Sequence, residues 1–139
     1  MYVELSDEAR RYMGRFDELT GVAPRDCLVE GDRLVFVIPA GEMAAAIGQG
    51  GATVTEAERR LGRSVELVED ADTPESFVAS ALAPAAVTAV TISEQDDRVA
   101  YVEVAPADRG VAIGADGQNI ETARTLAKRH YDVDDVQLT

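Results

Sequence analysis

The chain has 139 residues and a formal net charge of −13 at pH 7, and Lys128 is the one lysine among its 13 basic residues. No apolar run approaches the roughly 18 residues of a transmembrane helix, and the first residues lack the basic and apolar regions of a secretory signal. The lone Cys27 excludes an internal disulfide. We therefore expect a cytoplasmic protein with no membrane partner.

In chain order, the first half predicts helix, strand, strand, helix, helix and strand. Ser6 before two acidic residues is typical of a helix N-cap, and Gly21 is typical of a helix end. Two strand patterns flank a turn at 30–32 and predict a hairpin. A short helix, a glycine turn, a longer helix and a last strand follow. The predicted elements are residues 6–20, 27–29, 33–38, 41–47, 51–61 and 64–68.

The second half repeats this order. Thr73 followed by Pro74 predicts an N-cap and a first helical position. The predicted elements after that helix are strands at 87–93 and 99–104, a short helix at 108–113, a helix with Ile120, Ala123 and Ala127 inward, and a strand at 133–138. We therefore predict an α+β fold with two domains, residues 1–70 and 71–139. Each should contain a three-stranded sheet with its helices packed on one face.

The inward side of the second strand in each half follows from its alternation. We expect Leu34, Phe36 and Ile38 to occupy the same inward positions as Ala100, Val102 and Val104. The acidic segment 69–72 is the predicted linker between the domains.

Each half contains one copy of the motif Ala-Ile-Gly-x-x-Gly-x-[Thr/Asn]-[Val/Ile], which begins at Ala46 and again at Ala112, 66 positions later. Glycine adopts backbone conformations forbidden to other residues and leaves room for a sugar–phosphate backbone. The helix that follows presents unpaired N–H groups and a positive dipole end. For a single copy we would favour a tight helix–helix turn with core isoleucines. Two copies in matched context favour ligand binding.

This helix–Gly-x-x-Gly–helix pattern, set against three strands in this order, resembles the type II KH domain. Two such units in succession resemble the NusA transcription termination/antitermination family in its short archaeal form, over residues 1–139. The resemblance implies a non-enzymatic protein without a cofactor that binds single-stranded nascent RNA in transcription termination or antitermination. RNA polymerase is the second partner it implies. The alternative is an acidic adaptor of the transcription machinery with little RNA affinity.

The resemblance also implies the RNA-binding residues. A KH groove clamps about four single-stranded nucleotides beside the glycine turn. The candidates are Ile47, Gly48, Gln49, Gly50, Gly51, Thr53 and Val54 in the first half, and Ile113, Gly114, Ala115, Asp116, Gly117, Gln118 and Asn119 in the second. KH turns usually carry a basic residue in the middle, which is absent here. Asp116 should repel phosphate at low salt, so we expect the second site to be weaker.

Four arginines near the predicted sites could compensate for the missing basic residue or could simply balance carboxylates. They are Arg59, Arg60, Arg109 and Arg124. The acidity of the chain has two interpretations as well. It could serve solubility in a protein that avoids nucleic acid, or it could be an adaptation to a cytoplasm of very high salt. We favour the second, because the carboxylates are spread along the chain rather than gathered in a tail.

Catalytic chemistry has weaker support in the sequence. The sole histidine, His130, fits a helix-end cation or a partly buried ring better than a catalytic base. The acidic pairs at 96–97 and 134–135 lie in predicted turns, where we expect them to be solvated. The sequence therefore predicts no catalytic residue and no metal site.

Overall fold

The structure, a computed structural model, describes residues 4–139. The predicted domain start at Met1 therefore lies outside the described residues. The chain forms two compact units, Glu4–Asp70 and Ala71–Thr139, which we call the first and second modules. The first contains α1 (Asp7–Thr20), β1 (Asp26–Glu30), β2 (Arg33–Ile38), α2 (Met43–Ile47), α3 (Ala52–Leu61) and β3 (Ser64–Glu69). The second contains α4 (Pro74–Ala81), β4 (Val87–Ser93), β5 (Val99–Val104), α5 (Arg109–Ile113), α6 (Gln118–Tyr131) and β6 (Asp135–Leu138).

Each module has its own three-stranded sheet with the strands in chain order. The first two strands are antiparallel, and the third runs parallel to the second. Phe36 lies opposite Leu67 in the first sheet, and Val102 lies opposite Leu138 in the second. The predicted α+β fold and its element order are confirmed.

Local signals set the ends of several helices. The Ser6 hydroxyl accepts a hydrogen bond from the Ala9 N–H at 3.1 Å and caps α1. Gly21 ends that helix in the left-handed conformation, with φ of 77°. Thr73 caps α4 by accepting from the Ser76 N–H at 3.1 Å. These boundaries were predictable because each depends on residues close together in the chain.

The core of the first module lies between the helices and one face of the sheet. Leu34, Phe36 and Ile38 are fully buried there, and the Phe36 ring stacks on Phe16 with centroids 4.3 Å apart. Their predicted inward positions are confirmed. Val35 on the opposite face of β2 is buried as well. Buried and exposed side chains therefore do not alternate along this strand, although its inward positions were predicted from such an alternation.

The second module keeps that alternation. Ala100, Val102 and Val104 are buried as predicted, whereas Tyr101 and Glu103 between them are exposed. The sheet of the second module therefore presents a polar face that also carries one aromatic ring.

The last strand is shorter than predicted, since β6 begins at Asp135 rather than at residue 133. Asp132 ends α6 in the left-handed conformation, with φ of 55°. The Val133 N–H donates to the Ala127 carbonyl at 3.2 Å, and its side chain is fully buried. Val133 thus completes the end of the helix and does not pair in the sheet.

The predicted linker is also shorter than the sequence suggested. Glu69 is the last residue of β3, and its carboxylate accepts from the Gly41 N–H at 3.0 Å. The Asp70 N–H donates to the Ile38 carbonyl at 2.8 Å. Both acidic residues therefore belong structurally to the first module.

Candidate RNA-binding site

The two glycine turns, residues 48–51 and 114–117, have the same backbone conformation. The first joins α2 to α3, and the second joins α5 to α6. The first glycine has φ and ψ of 77° and 169° at Gly48, and of 80° and 171° at Gly114. The third position is left-handed in both turns, with φ of 63° at Gly50 and 55° at Asp116. The repeated motif therefore forms a repeated structure.

The first glycine of each turn is required by its neighbours as well as by its dihedral angles. A Cβ atom on Gly48 would lie 2.7 Å from the Thr53 backbone nitrogen, and one on Gly114 would lie 2.8 Å from that of Asn119. No side chain fits at either position. A Cβ atom on Gly50 would meet nothing within 4 Å. The middle of the turn is therefore open space.

The sequence predicted unpaired N–H groups at the start of each long helix, but some of these groups form hydrogen bonds within the turn. The Gly51 N–H donates to the Gly48 carbonyl at 3.1 Å, and the Gly117 N–H donates to the Gly114 carbonyl at 3.1 Å. A single 3-10 turn precedes each helix and uses donors that an uncapped α-helix leaves unpaired. The positive end of each helix dipole still lies at the turn.

Thr53 and Asn119 occupy equivalent positions after the turns, and both are half-buried. The Asn119 side-chain amide donates to the Val111 carbonyl at 2.8 Å. This bond ties the start of α6 to α5 across the second turn, so Asn119 has a structural role in addition to its predicted contact with RNA. The neighbouring Gln118 is exposed.

The isoleucines that precede the turns lie at the surface. Ile47 is 37% exposed and Ile113 is 39% exposed, whereas Ala46 and Ala112 are fully buried. The interpretation of these isoleucines as core residues is therefore wrong. The alanines anchor the short helices, and the isoleucines provide an apolar surface beside each turn.

One exposed apolar residue in this region, Val111, was not predicted from the sequence. Val111 is 42% exposed and immediately precedes the buried Ala112, which Ile113 follows. Neighbours of a buried helical residue lie about 100° away around the axis, so this spacing could have revealed Val111. In the first module the residue equivalent to Val111 is Ala45. The predicted groove residue Val54 is half-buried.

The turns themselves carry no positive charge. No lysine or arginine occurs in residues 41–58 or 110–123. The middle residues Gln49, Gly50, Ala115 and Asp116 are all exposed. Within residues 4–139, the Asp116 carboxylate has no ion-pair partner. Contacts with an anion at these turns therefore come from backbone N–H groups or from neutral polar side chains.

Three of the four arginines considered as compensating cations are engaged elsewhere. Their partners are Glu56 for Arg59 at 2.6 Å, Asp135 for Arg124 at 3.0 Å, and the Thr139 carbonyl for Arg109 at 2.8 Å. Arg60 makes no ion pair with any residue that the structure describes. Two of the four, Arg59 and Arg124, therefore balance carboxylates.

His130 and Asp134, which were considered for catalysis or metal binding, both contact other side chains of the second module. His130 lies in the last turn of α6, half-buried, with its ring 6.0 Å from that of Phe77. Asp134 is exposed, as expected, and it accepts from the Arg98 N–H at 2.8 Å and pairs with Lys128 at 2.7 Å. The Lys128 hydrogen bond holds the pKa of Asp134 below its usual value.

Residues 4–139 contain neither a cluster of metal-ligating side chains nor a membrane-spanning helix. No group of three or more His, Cys, Asp or Glu side chains in this range is placed to hold a metal ion. None of the helices described here has the length and apolar character needed to cross a membrane.

Comparison with known proteins matches each module to a family. A model of the KH domain matches residues 10–73, and a model of the NusA-like second KH domain matches residues 74–138. A relative from Halobacterium salinarum, named "Probable transcription termination protein NusA", is 60% identical over 139 residues, which is 100% of both chains. The chain belongs to the NusA family.

The similarity extends to more distant proteins. A NusA relative of the same printed name from Methanocaldococcus jannaschii is 30% identical over 98% of this chain and 75% of its own length. The crystal structure of APE1850 matches with a TM-score of 0.83 and 28% identity, covering 97% of this chain and 100% of that one. The tandem KH arrangement of this NusA-family chain is therefore shared, and the Halobacterium relative fits the high-salt interpretation of its acidity.

Proposed function

We propose that this chain is an RNA-binding transcription termination factor that holds single-stranded RNA at its two glycine turns. The observation that carries the RNA-binding part is the repetition of one open turn with an exposed isoleucine before it. Support for the transcription part comes from the relatives, which are named as probable transcription termination proteins.

The chemistry of each turn suits a sugar–phosphate backbone. The first glycine leaves no side chain in the way, and the long helix directs its positive end toward the phosphate. Ile47 and Ile113 supply an apolar surface against which an unstacked base packs. A KH groove of this kind holds about four nucleotides.

The two sites differ in charge. Asp116 stands where the first turn has Gly50, and its carboxylate makes no ion pair within the described residues. At low salt this charge opposes a phosphate at the second turn. The first turn is therefore the stronger site at low salt, and the difference decreases as salt screens the carboxylate.

The first turn can be tested by placing two carboxylates in it. The double variant Gln49→Asp with Gly50→Asp should fold, because Gln49 is exposed and Asp116 already adopts the required left-handed conformation in the second turn. We expect weaker binding of an oligouridylate of about four nucleotides. The measurement is fluorescence anisotropy of the labelled RNA, with circular dichroism to confirm folding.

The matched control is Gln49→Asn with Gly50→Asn, which has the same shape without the charge. This variant should keep most of the RNA affinity. Equal affinity of the folded aspartate variant and the unmodified chain would remove the first turn from the site. If the unmodified chain binds no RNA at molar potassium chloride, the adaptor of the transcription machinery becomes the better interpretation, with RNA polymerase as its first candidate partner.

A further inference from the structure

Four of the eight arginines of the first module form no ion pair within residues 4–139, and two of these four, Arg11 and Arg15, lie on α1. The chain has 26 acidic residues for 13 basic ones. Arg10 on α1 pairs with Asp7 at 3.9 Å. Arg11 and Arg15 on the same helix make no ion pair with any residue from 4 to 139. Their charges are available to an external anion.

These arginines lie around one aromatic ring. They line a concavity on α1 together with Glu8 and Tyr12. From the far end of α3, the Arg63 guanidinium reaches a position 5.5 Å from the centre of the Tyr12 ring, and it also donates to the Gly31 carbonyl. Three guanidinium groups therefore gather around the Tyr12 ring. The Glu8 carboxylate lies beside Arg11 and Arg15, and the Asp32 and Glu58 carboxylates line the neighbouring concavity with Arg63.

We propose that this arginine surface, formed by Arg11, Arg15 and Arg63, binds the phosphates of an RNA strand that extends beyond the first glycine turn. The inference rests on the proposed function of that turn. Guanidinium groups bind phosphate oxygens through paired hydrogen bonds. Such contacts act at short range and persist at salt concentrations that screen more distant charges.

The continuity of α3 favours RNA over an acidic protein segment as the occupant. This helix begins next to the first glycine turn and ends at Leu61, two positions before Arg63. Its 10 residues span about 15 Å. Because residues 41–58 contain no cation, a strand leaving the turn along α3 meets Arg59, which pairs with Glu56, and Arg60 in the last turn of the helix before it reaches Arg63.

The test compares two RNA lengths on the full chain. The probes are oligouridylates of about four nucleotides, which fill the turn, and about twelve nucleotides, which extend beyond it. We expect the double variant Arg11→Gln with Arg15→Gln to bind the longer RNA about tenfold more weakly at low salt and the shorter RNA unchanged. The salt dependence for the longer RNA should decrease by about 0.7 per lost phosphate contact on a log–log scale.

Two further variants on α1 serve as controls. Arg10→Gln removes a cation that already has a partner and should leave both affinities unchanged. Glu8→Gln removes the carboxylate from the concavity and should strengthen binding of the longer RNA only.

The outcomes separate this inference from the proposed function. Equal losses for both RNA lengths would overturn the inference, because the arginines would then act at the turn. Unchanged binding of both lengths would overturn it as well and would leave an acidic protein as the occupant of the surface. No binding of the short RNA by the unmodified chain would contradict the proposed function itself.

Discussion

At the scale of single residues, Glu66 is a carboxylate in an unfavourable place. It lies on β3 opposite Val35 and is partly buried. Burial raises its pKa above the ordinary value of 4.5, and the nearby Glu58 adds to this effect while Arg33 opposes it. Because the folded state holds the proton more tightly than the unfolded state, the free energy of unfolding falls as pH rises above about 4.5.

The variant Glu66→Gln should therefore melt at a higher temperature than the unmodified chain at neutral pH. The difference should disappear below the ordinary carboxyl pKa of 4.5, where the unmodified side chain is also neutral. Thermal melts followed by circular dichroism at both pH values provide the measurement. Glu103→Gln, at an exposed position on β5, is the control and should change little. A stabilisation by Glu66→Gln that is the same at both pH values would contradict the electrostatic explanation.

Residue-level features differed in how well the sequence predicted them. The glycines of the turns were identifiable because their motif repeats with matched neighbours. The exposure of Ile47 was not, because an isoleucine beside a buried alanine fits either a core or a surface position. Its exposure depends on how α2 rotates about its axis, which the packing of Ala46 decides.

At the scale of elements, the first and third positions of the glycine turn differ in the backbone conformation they adopt and in the room they leave for a side chain. Gly48 has φ of 77° and ψ of 169°, a region that is essentially restricted to glycine, and its neighbour Thr53 leaves no room for a Cβ atom. Gly50 has φ of 63° and ψ of 20°, which asparagine and aspartate tolerate. We expect Gly48→Asn to destabilise the module by about 1–3 kcal/mol.

Gly50→Asn is the matched comparison and should cost less than about 1 kcal/mol, since it resembles the aspartate of the second turn. Urea unfolding at constant salt gives both values. Similar losses for the two variants would mean that the turn adopts another conformation in solution.

Elements whose ends are fixed locally were predicted well. Ser6 and Thr73 cap helices through residues three positions away, so short-range patterns identified them. The start of β6 was predicted two residues early because the apolar Val133 fits a strand. Only the left-handed Asp132 and the end of α6 show that Val133 belongs to the helix terminus.

At the scale of the whole molecule, the net charge of −13 should dominate the salt dependence of RNA binding. A site that neutralises phosphates with cations loses affinity with a log–log slope of about −0.7 per phosphate on single strands. The turns have no cations, while the field of the whole protein repels RNA at low salt. Binding of the four-nucleotide RNA should therefore stay level or strengthen as potassium chloride rises.

The measurement is a titration of affinity from low to molar salt with the short RNA. An uncharged peptide nucleic acid of the same length is the control, because it lacks the phosphates that the field acts on. A steep loss of affinity for the short RNA would show that cations contribute directly at the turns.

The separation of the two sheets affects how the nascent chain folds. β3 completes the first sheet, so no strand of that sheet comes from beyond Glu69. Once Asp70 has been synthesised, the first module has all its residues and can fold as they emerge while the other half is synthesised. At about 5–20 residues per second this interval lasts roughly 3–14 s. The apolar strand β2 is then paired on both edges before its counterpart in the repeat, β5, is available. The two strands therefore have little opportunity to mispair between the modules.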